Sequence, residues 1–214
     1  MSLIVNEIFY SIQGESTYAG LPCVFVRLTG CNMRCVYCDT VYAYDEGCPM
    51  QIPEILDRIG NFHCNIVEIT GGEPLLQAET PDLIDDLLRK QYQVLMETNG
   101  SLDIRMADSR CVRIMDVKCP GSGEHEKCDF RNFRHLGKKD QVKFVICDRQ
   151  DYEYARDMLN RIPGDIPNEN LLFSPIRETL APAELAGWIL QDHLRVRLHL
   201  QLHRVVWPEI ERGV

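Results

Sequence analysis

The sequence predicts an α/β fold: a partial, open (β/α) barrel with a mostly parallel sheet of six to seven strands. Three observations carry this prediction. Short β-branched and aromatic runs alternate with segments of helical period, the pattern of right-handed β–α–β crossovers. A closed eight-fold barrel takes ~250 residues, and this chain has 214. Finally, the polar motifs fall at the carboxyl ends of the predicted strands, where such sheets bind ligands.

The elements follow in order. Residues 3–10 alternate apolar and polar positions as a strand does, and 11–21 are polar and glycine-containing, a loop. Residues 23–28 (Cys-Val-Phe-Val-Arg-Leu) lie between Pro22 and Gly30 and read as a strand. Residues 53–61 form a short helix. Residues 65–70 form a strand ending in Gly71-Gly72-Glu73-Pro74. Residues 81–91 place Leu83, Ile84, Leu87 and Leu88 on one helical face. Strands follow at 93–97, ending in Thr98-Asn99-Gly100, at 112–117, ending at Lys118, and at 141–146. A helix at 151–161, a strand at 170–173, a helix at 182–192 and a last strand at 196–202 complete the chain. One domain over 1–214 is expected, with 121–139 as a loop or lid insertion.

Composition excludes several classes. A net charge of −9 with 45% hydrophobic residues describes a globular chain without a dominant basic surface, so nucleic acid is not the expected partner. The short basic run at Lys138-Lys139 reads as a solvated loop. No apolar stretch reaches the ~18 residues that span a membrane, and the first ten residues lack the form of a secretory signal, so the cytoplasm is expected.

The chain has ten cysteines. Disulfides are disfavoured in a reducing compartment, and Cys23, Cys48, Cys64, Cys111, Cys119, Cys128 and Cys147 read as buried core residues. A second metal site from Cys111, Cys119 and Cys128 has no recognisable spacing. Cys31, Cys35 and Cys38 differ, because they share one short loop. Three thiolates can wrap one face of an iron–sulfur cube and leave one iron open. Structural zinc prefers four protein ligands, usually in two pairs, and the nearest spare is the unpaired Cys48. Spacing alone leaves a three-thiolate cluster, zinc and no metal all open.

The run Cys31-Asn32-Met33-Arg34-Cys35-Val36-Tyr37-Cys38 resembles the signature of the radical S-adenosylmethionine (SAM) superfamily, and Gly71-Gly72-Glu73-Pro74 resembles its second motif. The resemblance implies a [4Fe–4S] cluster on Cys31, Cys35 and Cys38 and SAM chelating the open iron. It implies SAM contacts from Tyr37, Cys38, Asp39, Gly71, Gly72, Glu73, Asp116, Val117, Lys118 and Ser174. Gly71 and Gly72 would let the backbone approach SAM closely. Glu73 is left between a ligand contact and a loop brace. Asp116 and Lys118 are left between SAM contacts and a surface ion pair.

A longer run narrows the resemblance. It takes in Ser11-Ile12-Gln13-Gly14-Glu15, Phe25 to Asn32, Asp39-Thr40, Glu68-Ile69-Thr70, Gln201-Leu202-His203 and Trp207. Together these are similar to the 7-carboxy-7-deazaguanine synthase family, small radical SAM lyases of queuosine and deazapurine biosynthesis. That family contracts the ring of 6-carboxy-5,6,7,8-tetrahydropterin, releases ammonia, regenerates SAM and requires Mg²⁺. The implied substrate contacts are Ile12, Gln13, Gly14, Glu15, Arg27, Thr70 and His203. Arg27 suits the substrate carboxylate, since a guanidinium grips one in two parallel hydrogen bonds. Thr40 is the implied Mg²⁺ ligand; one hydroxyl is a poor site alone, so the ion would borrow oxygens from substrate and water. Implied partners are the pterin, an external flavodoxin- or ferredoxin-like one-electron reductant and a second copy of the chain in a homodimer. The alternatives are a glycyl-radical-enzyme activating enzyme, a non-enzymatic iron–sulfur protein and a zinc-stabilised binding module.

Overall fold

In the computed structural model, which describes residues 2–214, all nine strands form one open sheet in the order β3-β1-β2-β4-β5-β6-β7-β8-β9. Its parallel part is β2 (Pro22–Leu28), β4 (Ile66–Gly71), β5 (Gln93–Thr98), β6 (Val112–Val117), β7 (Gln141–Ile146), β8 (Leu171–Pro175) and β9 (Arg197–Leu198). β1 (Ser2–Ile12) runs antiparallel to β2, and β3 (Cys48–Gln51) antiparallel to β1. The sheet is therefore mixed and two strands wider than its parallel part.

Two boundaries differ from the sequence reading. β3 carries Pro49, and a proline is tolerated there because the strand lies at the sheet edge. The expected last strand over 196–202 is only the two residues of β9. The chain then leaves the sheet, and Leu202 opens the short helix α5 (Leu202–Val206), its amide donating to Gly14 O at 2.8 Å. This exit carries the C-terminal segment back over the loop that follows β1.

The parallel strands alternate strictly. Val24, Val26, Val67, Ile69, Val94, Met96, Met115, Val117, Val142, Phe144 and Phe173 belong to one buried core. The helices α1 (Ile52–Gly60), α2 (Thr80–Arg89), α3 (Arg149–Met158) and α4 (Pro182–Gln191) feed Ile55, Ile59, Leu83, Leu87, Tyr152, Ala155, Leu185 and Ile189 into that core. Each helix puts a period-3.6 apolar stripe against the outer face of the sheet. The intervening strand residues face inward. At the amino ends of the strands they form a small apolar floor of Leu95, Val112 and Ile114. Towards the carboxyl ends they become Phe25, Arg27, Glu68, Thr70, Glu97, Asp116, Lys143 and Ser174, all on the wall of one cavity.

The segment 121–139 is a series of 3-10 turns, at Pro120–Ser122, His125–Lys127 and Phe130–His135. It contributes Ser122, Cys128, Phe133 and Leu136 to buried positions. It also clamps the cysteine loop from outside. Val36 N donates to Ser122 O at 3.1 Å, Arg34 N to Glu124 Oε1 at 2.7 Å, and Lys127 Nζ to Asn32 O at 3.1 Å. It buttresses that loop.

Candidate active site

The carboxyl ends of the strands surround a cavity of about 710 Å³, within the ~300–1,000 Å³ range of small-molecule sites. Cys31, Cys35 and Cys38 line one side of it, with Tyr37, Asp39 and Thr40 beside them. The loop is set by short-range bonds: Cys38 N donates to Cys35 O at 3.2 Å, and Met33 N to the Cys31 sulfur at 3.4 Å. Asn99 Nδ2 reaches that sulfur at 4.0 Å and Asn32 Oδ1 at 3.0 Å. Donors aimed at sulfur favour a thiolate, the form that iron requires. Burial pushes the Cys31 and Cys35 thiols above the usual cysteine range, so deprotonation falls to a bound metal. Three thiols on one loop around a roomy cavity fit an iron–sulfur cube with one iron left open.

Gly71 and Gly72 form the adjoining wall. A Cβ on Gly72 would overlap Gly30 O and lie 2.7 Å from Cys31 Cβ, and one on Gly71 would lie 2.5 Å from Leu28 O. Gly72 is thus required by contact with the cysteine loop, and Gly71 by contact with the end of β2. Glu73, left open between a SAM contact and a loop brace, turns away from the cavity and braces the loop. Its carboxylate is fully buried and accepts from Leu75 N at 3.0 Å, Thr98 Oγ1 at 2.9 Å and Asn99 N at 2.7 Å. Burial raises its pKa to about 7 against those hydrogen bonds. Glu73 ties the Gly-Gly loop to Thr98-Asn99, and through Asn99 to the cysteines. Val117, also expected at SAM, points its side chain into the outer core, because it alternates with Asp116 and Lys118.

Asp116 and Lys118 both line the cavity and pair at 2.8 Å, far from an exposed surface pair, with side chains 9% and 14% exposed. Asp116 Oδ1 and Tyr37 Oη are buried without hydrogen-bond partners among the described residues, which marks this corner as built for a polar ligand. Lys118 Nζ sits 6.0 Å from the Tyr37 ring centre. Ser174, on β8, lines the same cavity and is 4% exposed. These groups fit the ammonium, carboxylate and hydroxyls of an amino-acid nucleoside such as SAM.

Ile12, Gln13, Gly14, Glu15, Arg27, Thr70 and His203 line the remainder. Gln13 Nε2 donates to Glu68 Oε2, and Gln13 Oε1 accepts from Glu15 N at 2.8 Å. A Cβ on Gly14 would overlap the His203 ring. Burial lowers the His203 pKa, keeping the ring neutral. Arg27 spends its Nε on Glu7, 2.8 Å away, and stands 5.8 Å from both the Phe9 and Tyr42 ring centres. Among the described residues no partner holds its two terminal nitrogens, which suits a carboxylate ligand. Thr40 Oγ1 donates to Asp39 Oδ1 at 2.8 Å, and Asp39 Oδ2 meets Arg204 Nη2 at 3.3 Å. The hydroxyl offers a divalent cation one oxygen, with the rest to come from substrate and water.

Sequence reasoning gave no site role to the polar wall of the same cavity, Glu68, Glu97, Lys143 and Gln201, or to the buried His199 that acts on Glu15. The available signal was a charge in mid-strand, as in Gln141-Val142-Lys143-Phe144, where a parallel strand buried on both faces reads as a continuous apolar run. Of the other cysteines, Cys23, Cys111, Cys119 and Cys128 are buried as expected, Cys64 and Cys147 are half-buried, and Cys48 is exposed on the edge strand. Among the described residues no helix is long and apolar enough to cross a membrane.

The radical SAM superfamily matches residues 25–115. The chain is 40% identical to 7-carboxy-7-deazaguanine synthase of Koribacter versatilis, over 98% of this chain and 99% of that protein. It is 42% identical to the Chlorobaculum tepidum enzyme of the same name, over 99% and 97%. In fold it resembles the crystal structure of QueE from Escherichia coli, with a TM-score of 0.78, 22% identity and 95% of each chain covered.

Proposed function

This chain belongs to the 7-carboxy-7-deazaguanine synthase family, and from that membership we propose how its cavity works. The protein is a radical SAM lyase that converts 6-carboxy-5,6,7,8-tetrahydropterin to 7-carboxy-7-deazaguanine with loss of ammonia. The observation that carries the reading is convergence: cysteine loop, Gly71-Gly72, Asp116, Lys118 and the Gln13-Gly14-Glu15 loop all open onto one cavity.

Cys31, Cys35 and Cys38 hold the [4Fe–4S] cluster. When bound there, cluster and SAM would supply radical chemistry for hydrogen removal at the substrate carbon bearing the carboxylate. The chain's own residues bind, orient and shield. Gly71 and Gly72 admit SAM, Lys118 takes its carboxylate, Asp116 its ammonium, and Tyr37, Asp39 and Ser174 complete its contacts. The terminal nitrogens of Arg27 take the pterin carboxylate. Ile12, Gln13, Gly14 and Thr70 read the ring edge, and Glu15 accepts from its guanidine-like donors. His203, held neutral, gives or takes a hydrogen bond at the substrate. Thr40 would offer Mg²⁺ one oxygen, the rest coming from substrate and water, so the ion and the pterin would bind together. The enzyme works in the cytoplasm as one radical SAM domain, dimeric, and takes its electron from a flavodoxin- or ferredoxin-like carrier.

The test is anaerobic turnover of reconstituted protein with SAM, reductant, Mg²⁺ and the carboxytetrahydropterin, read by mass spectrometry. The deazaguanine acid is the expected product. SAM cleavage without it would overturn the substrate assignment and favour an activating enzyme.

A further inference from the structure

The charged wall of the cavity is organised around one lysine. Lys143 lies in mid-strand on β7 and is 5% exposed. Its Nζ donates to Glu15 Oε2 at 2.6 Å and to Glu97 Oε1, and stands 3.7 Å from Asp116 Oδ2. These carboxylates come from the loop after β1, from β5 and from β6, so one ammonium joins three separate elements. Asp116 already has Lys118, while among the described residues Glu15 and Glu97 have no other cation within ion-pair distance.

Such a group is a poor device for stability. Taking several charges out of water costs several kcal/mol per ion, and apolar residues of the same volume often serve as well. What the arrangement does provide is placement. A carboxylate has about four lone-pair sites. Glu15 gives one to Lys143 and one to Gln201 Nε2, 2.7 Å away; Glu97 gives one to Lys143. Their remaining sites are available, and both residues line the cavity.

The surrounding charges show what Lys143 opposes. Burial, Glu97 and Glu15 push the pKa of Glu68 well above the usual carboxylate range. Burial works the same way on Glu15, but Lys143, His199 and the hydrogen bonds from Lys143 and Gln201 outweigh it and hold Glu15 well below that range. Without the ammonium, Glu15, Glu68 and Glu97 would share one wall with no ion-pair partner of their own among the described residues.

We propose that Lys143 is a positioning residue for substrate recognition. It fixes Glu15 and Glu97 as a pair of hydrogen-bond acceptors for the donor edge of an aminopyrimidine ring, and so sets selectivity for a heterocycle that carries the exocyclic amino group. The inference rests on the pterin reading above, because that edge offers adjacent N–H donors that two anchored carboxylates can meet.

The experiment compares the carboxytetrahydropterin with its analogue lacking the 2-amino group, on anaerobically reconstituted holoenzyme. Lys143→Met keeps the length and removes the charge. It should raise KM or Kd for the pterin by on the order of tenfold or more, the scale of a lost charged hydrogen bond. SAM binding and kcat should change far less, and most of the discrimination between the two pterins should disappear. Lys143→Arg should restore much of it. Glu15→Gln, which leaves the lysine in place, should lose the same discrimination, and adding Lys143→Met to it should cost little more. Equal weakening of both pterins, a fall in kcat at unchanged KM, or fully additive effects with Glu15→Gln would each overturn the proposal. If Lys143→Met does not fold, Glu15→Gln and Lys143→Arg still decide: discrimination retained in the first or abolished in the second overturns it. Turnover by the unaltered enzyme judges the functional reading separately, and the discrimination can be read from binding even where no product forms.

Discussion

Replacing Gly72 by alanine places a methyl carbon where the structure has no space for one. The added Cβ would overlap Gly30 O and lie 2.6 Å from Gly30 C and 2.7 Å from Cys31 Cβ. Carbon atoms pack at ~3.5–4.0 Å, so the backbone must yield by about 1 Å. It has little freedom to do so. Gly30 O accepts from Glu73 N at 2.8 Å, Gly30 N donates to Ala43 O at 2.8 Å, and Gly30 has a φ of +101°. Overpacking costs ~1–3 kcal/mol, and two facing backbones put this site near the upper figure. For a chain of this size that is a fall in Tm of ~6–12 °C. The displaced atom is the Cβ of Cys31, a proposed cluster ligand, so iron content after reconstitution should fall as well. The assay is thermal unfolding of the metal-free protein together with iron and sulfide analysis, with Gly60→Ala as control, since nothing stands within 4 Å of a Cβ there. A Gly72→Ala protein with unchanged Tm and a full cluster would refute the reasoning.

Further outcomes follow from the same geometry. Arg27→Ala should weaken pterin binding by on the order of tenfold or more, the scale of a charged hydrogen-bonded pair, and leave SAM binding nearly unchanged; titration of each ligand checks this, and equal losses would remove Arg27 from the substrate carboxylate. Thr40→Ala should diminish the response of turnover to Mg²⁺ while the iron content stays full, and an unaltered magnesium titration would take Thr40 out of the site. Burial lowers the His199 pKa from 6.5 to about 4, so the unfolded chain takes up that proton first. The contribution to stability is complete above pH ~6.5 and is lost as pH falls towards 4, amounting to ~3 kcal/mol at ~1.4 kcal/mol per unit. Denaturant unfolding of the native protein and of His199→Leu across that window should show the native curve falling more steeply; parallel curves would contradict the assignment.

Much of this was legible in the sequence because strand ends and turn residues are local signals. The alternation of 23–28 and 141–146 gives the strands, and the position of Gly71-Gly72 after an apolar run gives the site end of the sheet. Direction of side chains was less legible. A motif resemblance does not say which way Glu73 turns, and its orientation follows from donors on Thr98 and Asn99, 25 and 26 residues away. Val117 was readable from period alone, since flanking residues Asp116 and Lys118 share the opposite face. The edge strand β3 escaped notice because four residues containing a proline carry little strand signal. The wall of Glu68, Glu97 and Lys143 is the most instructive omission. Each residue is unremarkable singly, and only the lateral register of β4 to β7 makes them neighbours.

The most direct test of the account uses substrate carrying deuterium on the carbon that bears the carboxylate. In the anaerobic reaction, deuterium should appear in recovered SAM, with deazaguanine product exceeding SAM consumed. That result requires cluster, SAM and pterin to meet in one cavity as the convergent residues imply. Product or SAM cleavage without label in SAM would contradict it, because the hydrogen would then have been removed from elsewhere.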